Sequence, residues 1–420
     1  MGSLGDLHPY IAIGLGMKAR GHEATIATGA CYRRKIEALG LGFRAVRPDC
    51  DWVEDPAVMR RFSHLRWGLV RVVREWVLPA LGDSYHDTLE AAADADLIVS
   101  HPMTFAARLV AEKTGIPWAS TVHVPLGLFS AHDLPVFSQA PALFKRLRFL
   151  GAGFWGPVLG FCKWATRSWA APWDRVRAEI GLPPVRGGNP LADIHSPGLV
   201  LLLFSGRLAG PQPDWPPGAA VTGFPIHDVD REPGLPAELA AFLDAGPPPI
   251  VFTLGSALAA DAERFYEHSA AAARLLGRRA VLILMDARNR LPSLPDGVTA
   301  CEYAPFSQLF PRAAAIVHHG GIGTTGLAMR SGRPMLVMPC SWDQPDNAER
   351  AARLGIARVI PRRRYTPERA ARELGRLLDD PRYARRAVEI GEEVRKEDGV
   401  GAACDALEAF LGHNRPPGVR

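Results

Sequence analysis

The sequence predicts an α/β protein, with two doubly wound parallel-sheet domains facing each other across a cleft. At 420 residues the chain is too long for one ordinary hydrophobic core, and two units of about 200 residues are the natural division. Short apolar runs alternate with helix-period segments in both halves, the rhythm of parallel strands joined by helices. Glycine-rich and polar turns follow those runs at the carboxyl edge, where such sheets collect ligands.

The chain opens on Gly2-Ser3-Leu4-Gly5, which reads as the loop after a strand, and Pro9 suits the first turn of a helix. Tyr10, Ile13, Gly14 and Met17 then give that helix one buried face before Gly21 stops it. Strands are expected at 23–28, 96–100 and 116–124, with a helix from Thr104. Residues 125–195 crowd Phe149, Phe154, Trp155, Phe161, Trp164 and Trp173 among glycines and prolines. They read either as core helices closing the first domain or as a greasy cleft for an apolar ligand. Lys145, Arg146, Arg148, Lys163 and Arg167 flank the run, so transient contact with a membrane surface is a third reading. Proline-rich punctuation marks a linker at 225–248 between a first domain at 1–224 and a second at 249–380. Strands are expected there at 249–254, 280–285, 298–303, 314–317, 334–338 and 357–360, followed by a helical stretch at 381–412 and a frayed tail.

The most informative stretch runs from Val317 to Gly326 and contains His318, His319, Gly320, Gly321, Gly323, Thr324 and Thr325. Its glycines fall where a strand gives way to a helix. Unpaired N–H groups in a first helical turn and the positive end of the helix dipole suit a phosphate, and glycine lets it approach. A plain tight turn would look the same, but a second strand delivers Trp342, Asp343 and Gln344 to the same edge. A carboxylate beside a carboxamide can accept from and donate to vicinal hydroxyls. Diphosphate donors next to a hydroxyl reader point to a nucleotide sugar.

With these motifs in view, the chain resembles the two-domain (GT-B) glycosyltransferases of family 1, and most closely the bacterial branch that includes antibiotic, sterol-type and rhamnolipid enzymes. The resemblance also rests on Gly2-Ser3-Leu4-Gly5-Asp6, Asp214-Trp215-Pro216, Thr222-Gly223-Phe224-Pro225, Thr253-Leu254-Gly255-Ser256 and Tyr303-Ala304-Pro305-Phe306. It implies two Rossmann-like domains, a first strand ahead of Gly2 in mid-sheet, and a closing helix that crosses back onto the first domain. The activity implied is inverting, metal-independent transfer of a hexose from a UDP- or dTDP-sugar to a hydroxyl of a small hydrophobic acceptor. The nucleotide sugar is a co-substrate, and no cofactor is expected.

The resemblance assigns His319, Gly320, Gly321, Gly323, Thr324 and Thr325 to the diphosphate, with Ser256 closing from the opposite loop. Beside two phosphates, the imidazolium form of His319 would be favoured. Tyr303 would stack on the nucleobase and Ala304 offer backbone groups to its edge, the alternative being a core tyrosine. Asp343 and Gln344 would hold the sugar, walled by Trp342. Asp6 stands where a catalytic base is expected, and also where an aspartate would cap a helix beginning near Pro9. His8, His101, His123, Phe154 and Trp155 are acceptor-side candidates. A catalytically silent nucleotide-binding homologue and a nucleotide-sugar epimerase are the rival readings. A dinucleotide oxidoreductase is disfavoured, because the first turn lacks G-x-G-x-x-G.

Charge and cysteines narrow the class further. The chain has 49 basic and 44 acidic residues, a difference of +5 that is expected to be spread evenly, so nucleic acid is not an expected partner. Six scattered cysteines show no metal-ligand spacing and no disulfide framework, which fits a reducing cytoplasm; a monomer or homodimer is expected.

Overall fold

The computed structural model describes residues 4–49, 55–185, 187–227, 234–256 and 258–414. Gly2, Ser3, linker positions 228–233 and the tail beyond 414 lie outside the described residues.

The first domain carries β1 (Thr25–Thr28), β2 (Gly42–Ala45), β3 (Ile98–Ser100), β4 (Trp118–Val122), β5 (Leu199–Leu202) and β6 (Ala219–Val221). Its described strands form two separate parallel sheets, β1-β2 and β3-β4-β5-β6. The second domain carries β7 (Ile250–Thr253), β8 (Ala280–Ile283), β9 (Val298–Cys301), β10 (Ala315–His318), β11 (Met335–Val337) and β12 (Ala357–Val359). They form one parallel sheet in the order β12-β11-β10-β7-β8-β9. Strands β7 and β10 are buried at every position, which is what a sheet covered by helices on both faces requires. The expected α/β architecture of two parallel-sheet domains is thus the observed one.

Three local expectations are corrected. The opening helix is Leu4–Ala19, so Leu4 and Gly5 are helical, not a loop, and Pro9 lies inside the helix. Pro9 removes only the bond to the Gly5 carbonyl, one turn from the start, where water can take its place. Residues 381–412 form two helices, Pro381–Lys396 and Gly399–Asn414, broken at Glu397. The first packs on the helix Ile322–Ser331 of the second domain, and only the second crosses to the opening helix. There Arg20 bonds Asp405 at 2.6 Å and Glu408 at 2.7 Å. Cys31 is disulfide-bonded, whereas Cys162, Cys301, Cys340 and Cys404 are free. One crosslink needs only two thiols brought within reach by the fold, which spacing along the chain does not reveal.

The aromatic run is only in part core. Trp155 and Trp173 are buried, but the helix Gly151–Ala165 leaves Phe154, Phe161 and Trp164 exposed. Among the described residues, no helix is long and apolar enough to cross a membrane.

Candidate active site

The donor half is built where β10 ends. Gly321 caps the helix Ile322–Ser331 with no side-chain hydrogen bond, and the space beside Gly323 is open, so the first-turn N–H groups face an unobstructed approach. His319 lies under this turn, wholly buried, with its Nδ1 lacking a partner. Burial pushes its pKa down to about 4, which favours the neutral imidazole wherever no anion lies beside it. Glycine is needed at two neighbours. A Cβ on Gly321 would collide with the His319 ring, and one on Gly255, already at φ +61, would come within 2.8 Å of it. The Gly255 position is also 3.5 Å from Thr324 Oγ1, which places the loop bearing Ser256 over the glycine turn.

Thr324 and Thr325 are not equivalent. The Thr325 hydroxyl donates to the Gly321 carbonyl at 2.9 Å and is buried, so only Thr324 is placed to donate to a ligand. His318 ends the strand as a packing residue, its Nδ1 accepting from Gly320 N at 3.1 Å. Tyr303 is 45% exposed, so the core-tyrosine alternative fails, while Ala304 is fully buried.

The helix Gln344–Arg353 presents the second motif, and its amide groups are partly committed. Gln344 Oε1 accepts from Cys340 N at 2.8 Å and from Ser341 N at 3.0 Å, which holds the loop and leaves the NH2 group to donate. Asp343 Oδ2 accepts from Asn347 Nδ2 at 2.6 Å, and the same amide reaches the Gly320 carbonyl at 2.9 Å. Asn347 was not singled out from the sequence. Its position one helical turn after Asp343 was the available signal. Burial above all pushes the Asp343 carboxyl up to about 7, with smaller contributions from the charges of Asp6 and Asp346. Trp342, at φ +52, donates its indole N–H to the Phe62 carbonyl of the first domain at 2.9 Å.

Across the cleft the acceptor-side candidates separate into two sets. Asp6 Oδ1 lies 3.5 Å from His101 Nε2, and the rings of His101 and His123 are 4.7 Å apart. Asp6 sits in the first turn of its helix, so the capping role for a helix starting near Pro9 does not apply. Met103 N donates to His101 Nδ1 at 3.0 Å, which places the ring proton on Nε2, facing Asp6. Tyr10 and His123 meet at Thr121 Oγ1, at 2.7 and 3.4 Å, and burial lowers the His123 pKa to about 3. His8 instead packs beside His227 at 5.6 Å; burial, followed by Lys35 and His227, lowers its pKa to about 3. Phe154 and Trp155 pack on each other, and Trp155 on Phe144, so none of their described partners belongs to the Asp6 group.

Asp6, His101 and His123 place one ligand atom each within 4.8 Å of one another, close enough to hold a metal ion. Metal at His101 Nε2 would displace the proton that the Met103 hydrogen bond keeps there, so the geometry fits a carboxylate–imidazole pair better.

Comparison with known proteins identifies the family. Residues 271–399 match the erythromycin biosynthesis protein CIII-like C-terminal domain. The chain is 34% identical over 430 residues to O-mycaminosyltylonolide 6-deoxyallosyltransferase of Streptomyces fradiae, covering 98% of this chain and 96% of that protein. It is a family 1 glycosyltransferase. A second relative, glycosyltransferase GtfE of Amycolatopsis orientalis, is 32% identical over 99% of this chain and 97% of its own. Among solved structures, the glycosyltransferase of kitacinnamycin superposes with a TM-score of 0.71 at 22% identity, covering 97% and 96% of the two chains. The calicheamicin glycosyltransferase CalG4 does so at 0.70 and 20%, covering 98% and 96%. These two likenesses carry the GT-B fold of the glycosyltransferase.

Proposed function

We propose that this glycosyltransferase moves a hexose, with inversion, from a UDP- or dTDP-sugar to a hydroxyl of a small hydrophobic acceptor, without a metal. The observation that carries this reading is geometric: Asp6 Oδ1 lies 3.5 Å from His101 Nε2 in the first domain, and the loop bearing Asp343 is tied to that domain by the Trp342 indole on the Phe62 carbonyl at 2.9 Å. A base on one wall then faces a sugar reader on the other, beside an uncapped helix end suited to a diphosphate.

In the reaction, the acceptor oxygen forms a bond to the anomeric carbon while the bond from that carbon to the diphosphate oxygen breaks. The acceptor proton passes to the Asp6 carboxylate, and the leaving diphosphate keeps the bonding electron pair. His101 Nε2–H holds Asp6 in position. The first-turn N–H groups, Thr324 and an N–H of His319 stabilise the developing charge, the work a divalent ion would otherwise do. Asp343 accepts from sugar hydroxyls and Gln344 donates to them. Tyr303 stacks on the base, and Ser256 closes over the phosphates.

Leu327 stands in the same helix as Thr324, where it cannot accept from a ribose 2′-hydroxyl, so dTDP-sugars are tolerated. In support, solved relatives include the glycosyltransferase VinC in complex with dTDP, at 22% identity. The acceptor class is supported by relatives named for antibiotic and sterol glycosylation.

The test is transfer by purified protein, read by mass spectrometry with UDP- and dTDP-hexoses and a panel of apolar alcohols, with and without a chelator. Product that survives chelation and falls by about 10² to 10⁴ in Asp6→Asn, with unchanged affinity for free dTDP, supports the reading. Nucleotide binding with no turnover on any acceptor would mark a silent homologue instead.

A further inference from the structure

The near balance of charge in the whole chain hides a strong local bias. Residues 56–74 and 134–173 together hold ten basic residues and no acidic one, which overturns the expectation of an even spread. The same two segments expose the largest apolar side chains of the first domain. Leu65, Trp67 and Leu69 are exposed in one, and Leu143, Phe149, Leu150, Phe154, Phe161 and Trp164 in the other. Among the described residues, the remaining exposed large apolar side chains, Leu275, Leu294, Tyr303 and Val388, are scattered over the second domain.

Within the helix Gly151–Ala165, Phe154, Pro157, Phe161 and Trp164 recur at intervals of three and four, so they share one face, and that face is open to solvent. Phe161 and Trp164 are 63% and 72% exposed, and their rings lie 5.6 Å apart. Lys163 is the helix's single charged residue. The two segments adjoin, because the Arg74 guanidinium lies 5.3 Å over the Trp169 ring. A monomer rarely leaves so large an apolar patch uncovered. Of the basic residues in the two segments, Arg61, Lys145, Arg148, Lys163 and Arg167 are ion-paired, with Glu75, Glu349, Asp133, Asp193 and Asp174 respectively, so the charge offered to a partner comes from the others. Arg146 and Arg66 stay exposed.

We propose that this face docks on the interface of a bilayer containing anionic phospholipid. Phe149, Phe154, Phe161 and Trp164 enter the headgroup boundary, and the basic residues meet the phosphates. The combination of an aromatic-rich apolar face with a basic surround is what an interfacial helix needs, and each signal alone gives only weak binding. A ladder of rings leads inward from the patch: Phe154 to Trp155 at 5.1 Å, Trp155 to Phe144 at 5.4 Å, Phe144 to Phe137 at 4.9 Å, and Phe137 to Phe129 at 5.9 Å. Phe129 ends the short helix Pro125–Leu128 that follows β4 in the first domain. If the reading of the cleft above holds, a hydrophobic acceptor dissolved in the bilayer is thereby brought to the domain on which it reacts.

The test is co-sedimentation with vesicles of phosphatidylcholine alone and with 30% phosphatidylglycerol (about that fraction sets the charge), at low and high salt. The parent should bind the mixed vesicles, release at high salt, and ignore the neutral ones. Phe161→Ser/Trp164→Ser should lower binding at least about tenfold, and Arg66→Glu/Arg146→Glu should abolish its dependence on phosphatidylglycerol. Affinity of each variant for free dTDP, unchanged, shows that the fold is intact, and the vesicle result does not depend on whether the acceptor reading is right. Absence of binding, or equal binding by parent and variants, overturns the proposal. So does a parent dimer in sedimentation velocity that Phe161→Ser/Trp164→Ser converts to monomer, since a second copy would then cover the face.

Discussion

The walls of the cleft differ in how they hold their functional groups. On the donor wall Ile250, Val251, Phe252, Ile316 and Val317 are wholly excluded from solvent, and the candidate donor-binding groups follow one another along the chain at the ends of those strands. On the acceptor wall Asp6 stands on a helix beside a sheet divided in two, with 37% of its side chain exposed, and its partner His101 comes from the far end of β3. A parallel sheet buried on both faces fixes its strand-end turns without further help. The acceptor wall depends on contacts with the other domain. Asp133, in the loop before the helix Pro141–Leu147, pairs with the buried Arg350, which also bonds Asp346 at 2.7 Å. Asp346 in turn accepts from Val136 N at 2.8 Å. The helix Gln344–Arg353 is thus bolted to a loop of the first domain.

If the donor wall is preorganised and the acceptor wall is assembled by closure, substitutions should sort accordingly. The largest effect among four is expected for Asp343→Ala, which removes the acceptor for sugar hydroxyls. Loss of about 1 to 3 kcal/mol per buried hydrogen bond should cut kcat/KM by roughly 10- to 100-fold, with free dTDP affinity nearly unchanged by calorimetry. Equal loss of nucleotide affinity would show that Asp343 serves the diphosphate instead. Next comes Gly321→Ala, whose methyl meets the His319 ring. It should weaken free dTDP binding by about tenfold without altering the pH dependence of turnover, and a normal dissociation constant would remove His319 from the phosphate site.

Smaller still is His101→Gln, which keeps an N–H for Asp6. It should retain activity within roughly fivefold, whereas His101→Ala loses more and its pH–rate profile shifts, because the carboxylate loses its hydrogen-bond donor. Identical profiles for both variants would make His101 a packing residue. The smallest effect is on stability. The Asp343 carboxyl, raised to about 7, keeps its proton in the native state after the unfolded chain has lost it. Stability contributed at this site therefore falls as pH rises from about 4 to about 7. Asp343→Asn should flatten that slope in urea melts, and an unchanged slope would mean the carboxyl is not desolvated in solution.

The same contrast governs how much the sequence discloses. The candidate donor site could be proposed from sequence because its elements are local: a strand, a glycine turn and a helix within ten residues make it up, and Asp343 follows in the loop after the next strand. What was not legible is long-range. That Thr325 spends its hydroxyl on Gly321, that Gln344 spends its oxygen on Cys340 and Ser341, and that Asn347 holds Asp343 are outcomes of packing, which periodicity does not encode. On the acceptor wall residue types alone left His8, His101 and His123 equivalent beside Asp6. Only the turn at Met103 and the burial of His123 separate them. The start of the opening helix was misplaced because Pro9 is a strong N-terminal signal that tertiary contacts overrode.

One measurement bears most directly on single displacement with Asp6 as the base. The anomeric configuration of the product, formed from a nucleotide sugar of known configuration, is read from the proton coupling at the anomeric carbon. An α-linked D-hexose donor should give exclusively β-linked product. An α-linked product would contradict the account, since retention needs a second displacement that a lone base facing the sugar reader does not supply.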